Sequence, residues 1–220
     1  MRIHRKGWGT ILVTLIILGM ITWIINIIFP EQTWIHYILY VIGGLFFCLV
    51  IRFFRHPYRI PEINEDHVLS GADGTVVVIE EIEEDEYFKD KRIQVSVFMS
   101  PFNVHVNWYP ISGLIVNTKY HKGRNYPAYL PKSSKENERQ SIVVEDRYGR
   151  EVMMIQIAGL LARRVFTNAR TGNYVFIGEE AGIIKFGSRV DLILPANAEV
   201  KVKLHQQVKA CKTVIAELPR

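Results

Sequence analysis

The chain has only two cysteines in 220 residues, Cys48 inside an apolar run and Cys211 near the C-terminus. Two so placed do not make a disulfide framework, and they fit a reducing compartment. The common chemical signatures are also missing. No G-x-x-x-x-G-K-[ST] or G-x-G-x-x-G loop cradles a phosphate, and no C-x-x-C or H-E-x-x-H pattern binds zinc, so no metal is expected. A serine nucleophile on a G-x-S-x-G turn fails as well, because Lys185-Phe186-Gly187-Ser188-Arg189 lacks the second glycine. Charge excess is missing from most of the chain. Of 27 basic and 22 acidic residues, six and one fall within 1–60, which leaves 21 of each in 61–220. A balanced segment does not carry the basic footprint of a nucleic-acid binder.

What is present first is apolar length. Trp8 to Phe29 is a 22-residue uncharged run and Trp34 to Ile51 one of 18, separated by Pro30-Glu31-Gln32-Thr33. Each is near the roughly 20 residues that cross a hydrocarbon core. Arg2, Arg5 and Lys6 precede the first run, and Arg52, Arg55 and Arg59 follow the second, whereas the link has no basic residue. The positive-inside rule then places both ends, and all of 61–220, on the cytoplasmic side of the cell (inner) membrane. Trp8, Trp23, Trp34, Tyr37 and Tyr40 include interfacial anchors. The first run exceeds the usual 7–15-residue core of a cleaved signal peptide. The second is short enough that a re-entrant or interfacial helix stays open. The expected division is a membrane hairpin over 1–60, with spans about 8–29 and 34–51, and a cytoplasmic domain over 61–220.

The second part reads as strands. Segments 75–82, 92–99, 113–120, 141–146, 151–159, 189–195, 198–204 and 212–218 are short, rich in Val and Ile, and bounded by Gly, Pro, Asn or Asp. Alternation such as Val200-Lys201-Val202-Lys203-Leu204 suits an antiparallel sheet with one wet face. The expected fold is mainly β, a sandwich or partly closed barrel, behind a two-helix transmembrane hairpin. The acidic run from Glu80 to Glu86 reads as a solvated hairpin end. Residues 121–139 form a long stretch without strand or helix pattern, of the kind that is usually functional or disordered. Its Lys122, Arg124, Lys132 and Lys135 around Tyr126 and Tyr129 suit lipid phosphate at an anionic surface, or simply an exposed polar loop.

Three clusters carry chemistry. Ser70-Gly71-Ala72-Asp73-Gly74 brackets one carboxylate with glycines, and is otherwise a plain Asp-Gly turn. Met99-Ser100-Pro101-Phe102-Asn103-Val104-His105 sets a histidine among apolar residues, which taken alone is more often a satisfied structural histidine. Gly178-Glu179-Glu180-Ala181-Gly182 leads into Gly187-Ser188, a dipeptide that would weaken or bulge a strand.

The order A-D-G (72–74), S-P-x-x-x-H (100–105), N-E-R (137–139) and G-E-E-x-G-x-x-x-x-G-S (178–188) resembles that of phosphatidylserine decarboxylase proenzymes, most of all the short bacterial form with its own membrane anchor. The resemblance implies an autoprocessed carboxy-lyase of phospholipid biosynthesis. It implies that Ser188 attacks the Gly187 carbonyl, that the resulting ester eliminates, and that residue 188 becomes a covalent pyruvoyl group, the pyruvate cofactor. The products are a β subunit, 1–187, and an α subunit, 188–220, held as a heterodimer. Phosphatidylserine in an anionic bilayer then forms a Schiff base with the pyruvoyl group and leaves as phosphatidylethanolamine and carbon dioxide. In this reading His105 is the base, Asp73 its orienter or charge partner, and Lys122, Arg124 and Tyr126 contact the lipid. The longer branch of the family has a second histidine where Trp108 stands, so either His105 serves both steps or another residue such as His121 contributes. A related lipid (archaetidylserine-like) and a non-enzymatic membrane-anchored β domain are the alternatives.

Overall fold

Where a run has no charge to solvate and no water to bond its backbone, an α-helix satisfies every amide internally. The computed structural model describes residues 1–124, 126, 136–159, 164–185 and 187–219. It divides into two compact units, Met1–Tyr58 and Arg59–Arg220. In the first, strand β1 (Arg2–Ile3) pairs antiparallel with β2 (Arg55–His56), and between them run helices α1 (Trp8–Ile28) and α2 (Trp34–Phe53). Both helices are long and apolar enough to cross a membrane. The link is fastened by polar groups. Asn26 Oδ1 accepts from Gln32 Nε2 at 3.1 Å and from the Tyr40 hydroxyl at 3.0 Å. Thr33 and His36 make a capping box at the start of α2, which supplies partners to backbone groups a helix start leaves open.

The second unit begins with β3 (His67–Leu69), β4 (Gly74–Glu84), β5 (Asp90–Met99), β6 (Val106–Trp108) and β7 (Gly113–His121). It continues with β8 (Arg139–Glu145), β9 (Glu151–Ala158), β10 (Val165–Thr167), β11 (Tyr174–Val175) and β12 (Glu180–Ile184). It closes with β13 (Ser188–Pro195), β14 (Glu199–Val200), β15 (Gln207–Val208) and β16 (Val214–Glu217). The largest sheet has the order β11-β7-β8-β9-β13-β5-β4-β15, with every pairing antiparallel. It curls into a half-barrel, the partly closed form the sequence admits. Two small sheets, β10-β12-β6 and β14-β16-β3, complete the unit.

Side chains two apart in a strand share a face, and this sorts the large sheet. Val97 and Met99 of β5, Met154 and Ala158 of β9, and Val190, Leu192 and Leu194 of β13 join Ala181, Ile184 and Ile215 of the small sheets in the main core. Burying each such aliphatic side chain contributes about 1.5–3 kcal/mol. The other face carries a smaller cluster of Val143, Met153 and Ile193, against which Tyr87 and Phe88 pack.

The expected strand at 198–204 is shorter than its alternation implies. Only Glu199–Val200 pair, because the chain turns at Lys203–Gln206, with His205 at φ +65° and Gln206 N donating to the Lys203 carbonyl at 3.1 Å. The acidic run is the end of the β4–β5 hairpin, and its carboxylates bond the turn. Glu84 is buried, its oxygens accepting from the amides of Glu86, Tyr87 and Phe88 at 2.9, 2.9 and 2.7 Å.

Candidate active site

The run Ile183 to Pro195 is not one strand. β12 ends at Ile184 in a small sheet and β13 starts at Ser188 in the large one, so Gly187-Ser188 lies at the corner where the chain changes sheet. Turning there sets Gly187 at φ +70°. In that left-handed region a Cβ crowds the following carbonyl and costs roughly 1–2 kcal/mol, which accounts for glycine. A Cβ on Gly187 would otherwise meet nothing within 4 Å. Ser188 sits between Met99 of β5 and Ala158 of β9, 0% exposed. Its hydroxyl donates to the Met99 sulfur at 3.3 Å, and a thioether is a weak acceptor, so the hydroxyl is lightly held.

His105 reaches this corner from a turn that its own sequence locks. Asn103 Oδ1 accepts from the Ser100 amide at 2.9 Å and from its hydroxyl at 2.7 Å, and Asn103 N donates to the Ser100 carbonyl at 3.0 Å. β6 then pairs with β12, and Ile184 N donates to the His105 carbonyl at 3.2 Å. Gly182 permits that arrangement, since a Cβ there would run into the Phe166 carbonyl of β10. The imidazole is fully buried. Nε2 accepts from the Gly187 amide at 3.4 Å and Nδ1 lies 3.1 Å from the Asn103 carbonyl. A carbonyl only accepts, so Nδ1 bears the proton and Nε2 turns its lone pair to the amide of Gly187, the residue whose carbonyl enters the Gly187–Ser188 bond.

Asp73 is placed with a different partner. Its carboxylate receives a fork from Arg59, Nη1 to Oδ1 at 2.5 Å and Nη2 to Oδ2 at 2.7 Å, and Oδ1 also takes the Ala210 amide at 2.9 Å. Arg59 lies over the Trp108 ring, 4.8 Å from its centroid. The Asn103 carbonyl thus meets His105 Nδ1, while Asp73 meets Arg59. Beside this pair burial pushes the Cys211 thiol up to about 12, with Arg59 lowering it and Asp73 adding to the rise.

The long loop is tied to the same corner. Asn137, fully buried, accepts from Tyr126 N at 2.8 Å and donates to the carbonyls of Tyr126 and Ala158, each at 2.7 Å. Ala158 is the β9 partner of Ser188. Arg124 donates to the Tyr126 hydroxyl at 2.9 Å, and Lys122 is exposed nearby in sequence. Tyr129, Lys132 and Lys135 lie outside the described residues. His121 is engaged elsewhere, Nε2 lying 2.8 Å from Glu86 Oε1.

Three site residues escape a sequence reading. Asn103 shows only as a turn former, and Asn107 and Gln156 are single polar residues inside apolar strands. Gln156 Nε2 donates to Asn107 Oδ1 at 2.9 Å, and Asn107 Nδ2 to the Met99 sulfur at 3.5 Å. Asn107 and Gln156 are both 0% exposed, while Asn103 is partly exposed. A polar residue in step with core positions was the available signal, and it looks the same whether the partner is chemical or structural.

Comparison with known proteins gives the family. The family model described as "Phosphatidylserine decarboxylase" matches residues 46–216. A protein of Cytophaga hutchinsonii named phosphatidylserine decarboxylase proenzyme is 46% identical over 217 residues, 99% of each chain. One of the same name from Bacteroides fragilis is 44% identical over 99% of this chain and 95% of its own. Another from Parabacteroides distasonis is 42% identical over the whole of both.

Proposed function

Because the chain belongs to the phosphatidylserine decarboxylase family, we propose that it converts phosphatidylserine to phosphatidylethanolamine and carbon dioxide with a pyruvoyl group made by cutting its own Gly187–Ser188 bond. The observation that carries this reading is the fully buried His105, whose Nε2 meets the amide of Gly187 at a corner of two sheets. Ser188 Oγ leaves the Met99 sulfur for the Gly187 carbonyl carbon as Nε2 takes its proton. The acyl group passes from nitrogen to oxygen, and the proton held on His105 is delivered to the released amine of residue 188. β-Elimination of the ester frees the Gly187 carboxylate, and hydrolysis of the remaining enamine gives the pyruvoyl end and ammonia.

The surroundings fit so small a group. Ala158, Val97 and Val190 wall residue 188 with apolar surface, and the buried amide of Asn107, whose Nδ2 donates to the Met99 sulfur beside Ser188, supplies a polar partner. When formed, the group supplies an electron sink for the substrate carbon that loses its carboxylate. A dry pocket favours that loss, because the charge is spread in the transition state and water is not there to hold it on the carboxylate. Lys122, Arg124 and Tyr126, linked to this end through Asn137, meet the lipid phosphate. The two pieces stay together after the cut because β13 lies between β5 and β9, while β15 and β16 pair with β4 and β3. Basic residues outside both apolar helices support an orientation with the catalytic unit in the cytoplasm, at the inner membrane.

The test is release of labelled carbon dioxide from carboxyl-labelled phosphatidylserine in mixed vesicles. The purified protein is expected to release it and S188A to release none. Equal release from both would discard the reading.

A further inference from the structure

Gln156 Oε1 is a buried oxygen with no hydrogen-bond partner among the described residues, in a side chain that is 0% exposed. Leaving such a group unmet carries its full desolvation penalty, and an acceptor of this kind in a native core calls for a donor that arrives later. Its position says where the donor comes. In the β9–β13 register Gln156 stands opposite Val190 and two residues from Ala158, the partner of Ser188, so it shares a sheet face with Ser188 on the diagonal.

Asn107 fixes which atom is presented. Its Nδ2 and the Ser188 hydroxyl both donate to the same Met99 sulfur. A thioether only accepts, which turns Asn107 Oδ1 toward Gln156; Oδ1 takes Gln156 Nε2, and Oε1 is what remains. An oxygen can receive only an N–H or O–H, and the donor that must come to residue 188 is the substrate's amine.

On the reading of the site given above, we propose that Gln156 Oε1 binds the amine nitrogen of phosphatidylserine, and that Asn107 is the residue that positions it. The pair makes residue 188 selective for an amine-bearing substrate through two uncharged amides. Ser188 is itself buried, so the amine enters only after the 187–188 bond is cut and the end at Gly187 gives way.

The test separates making the carbonyl from using it. Wild type, Q156M, Q156E and N107A are checked by intact mass for the cut, by a hydrazide reagent in denatured protein for carbonyl content, and by cyanoborohydride capture of phosphatidylserine from phosphatidylserine/phosphatidylcholine vesicles. Q156M keeps the volume but removes the acceptor. It is expected to be cut and to carry the wild-type carbonyl content, yet to capture lipid about tenfold more slowly. Q156E, whose carboxylate accepts the same N–H, is expected to recover capture, and N107A to lose part of it at full carbonyl content. Capture by Q156M at the wild-type rate, the result for an oxygen that serves only a buried water, would overturn the proposal. So would an uncut Q156M, which assigns the pair to the cutting step. Should Q156M not accumulate, N107A decides alone, and wild-type capture by it overturns the proposal. An uncut wild type would refute the self-cleavage reading instead.

Discussion

At the scale of single residues, the chemistry turns on which lone pair faces which bond. His105 Nε2 is at the Gly187 amide because Nδ1 is committed to the Asn103 carbonyl. In the proposed mechanism H105A removes the base and the proton carrier together, so self-cleavage is expected to slow by about 10²–10⁴-fold, read as persistence of the uncut chain in a timed denaturing gel. N103A loosens the Ser100 turn and should slow the cut less than H105A does. A cut in H105A as fast as in wild type would remove the histidine from the mechanism. Ser188, Gly187 and His105 stood out in the sequence because their residue types are tied to a proposed reaction, and the structure brings them to one corner. Asn107 and Gln156 did not stand out, since an amide in an apolar strand has no reading until the register shows what it faces. Asp73 was legible as a marked carboxylate, but its partner, Arg59, lies 14 positions earlier and could only be counted as flanking charge.

At the scale of elements, β13 joins reaction to architecture. Directly after Ser188, Arg189 Nε and Nη2 donate to Asp191 Oδ1 and Oδ2 at 2.7 and 2.8 Å, both side chains 1% exposed. They lie on the sheet face opposite Ser188, so they anchor the strand without entering the reacting pocket. Breaking a buried pair by removing one member is strongly destabilising. D191A should therefore cost about 3–5 kcal/mol in chemical denaturation; a loss below about 1 kcal/mol would show that the pair does not hold the strand. The long strands were legible from their Val and Ile periodicity. The corner was not, because Ile183 to Pro195 is continuous in hydropathy and only the geometry of Gly187 breaks it. β6, β10 and β12 are too short for a periodic signal, yet β6 and β12 bring His105 to the bond.

For the whole molecule, the division into an apolar pair of helices and a β unit follows from composition, which is why both were legible. Burial also sets how the β unit responds to pH. Cys211 rises from 9.0 to about 12 and Tyr109 from 10.0 to about 12, burial being the first cause in each. The folded state holds these protons at a pH where the unfolded chain releases them. The stability they contribute is present below about pH 9 and is lost as pH rises toward 12. Melting temperature should fall across that window, and Y109F or C211A should flatten the fall; identical profiles would contradict the assignment. The central claim, that the protein cuts itself to make its own reactive carbonyl, is tested most directly by the intact mass of the purified chain beside S188A. The account predicts two chains split between residues 187 and 188, the second beginning with a blocked pyruvoyl end, and one uncut chain for S188A. A single uncut wild-type chain, or a split S188A, would contradict it.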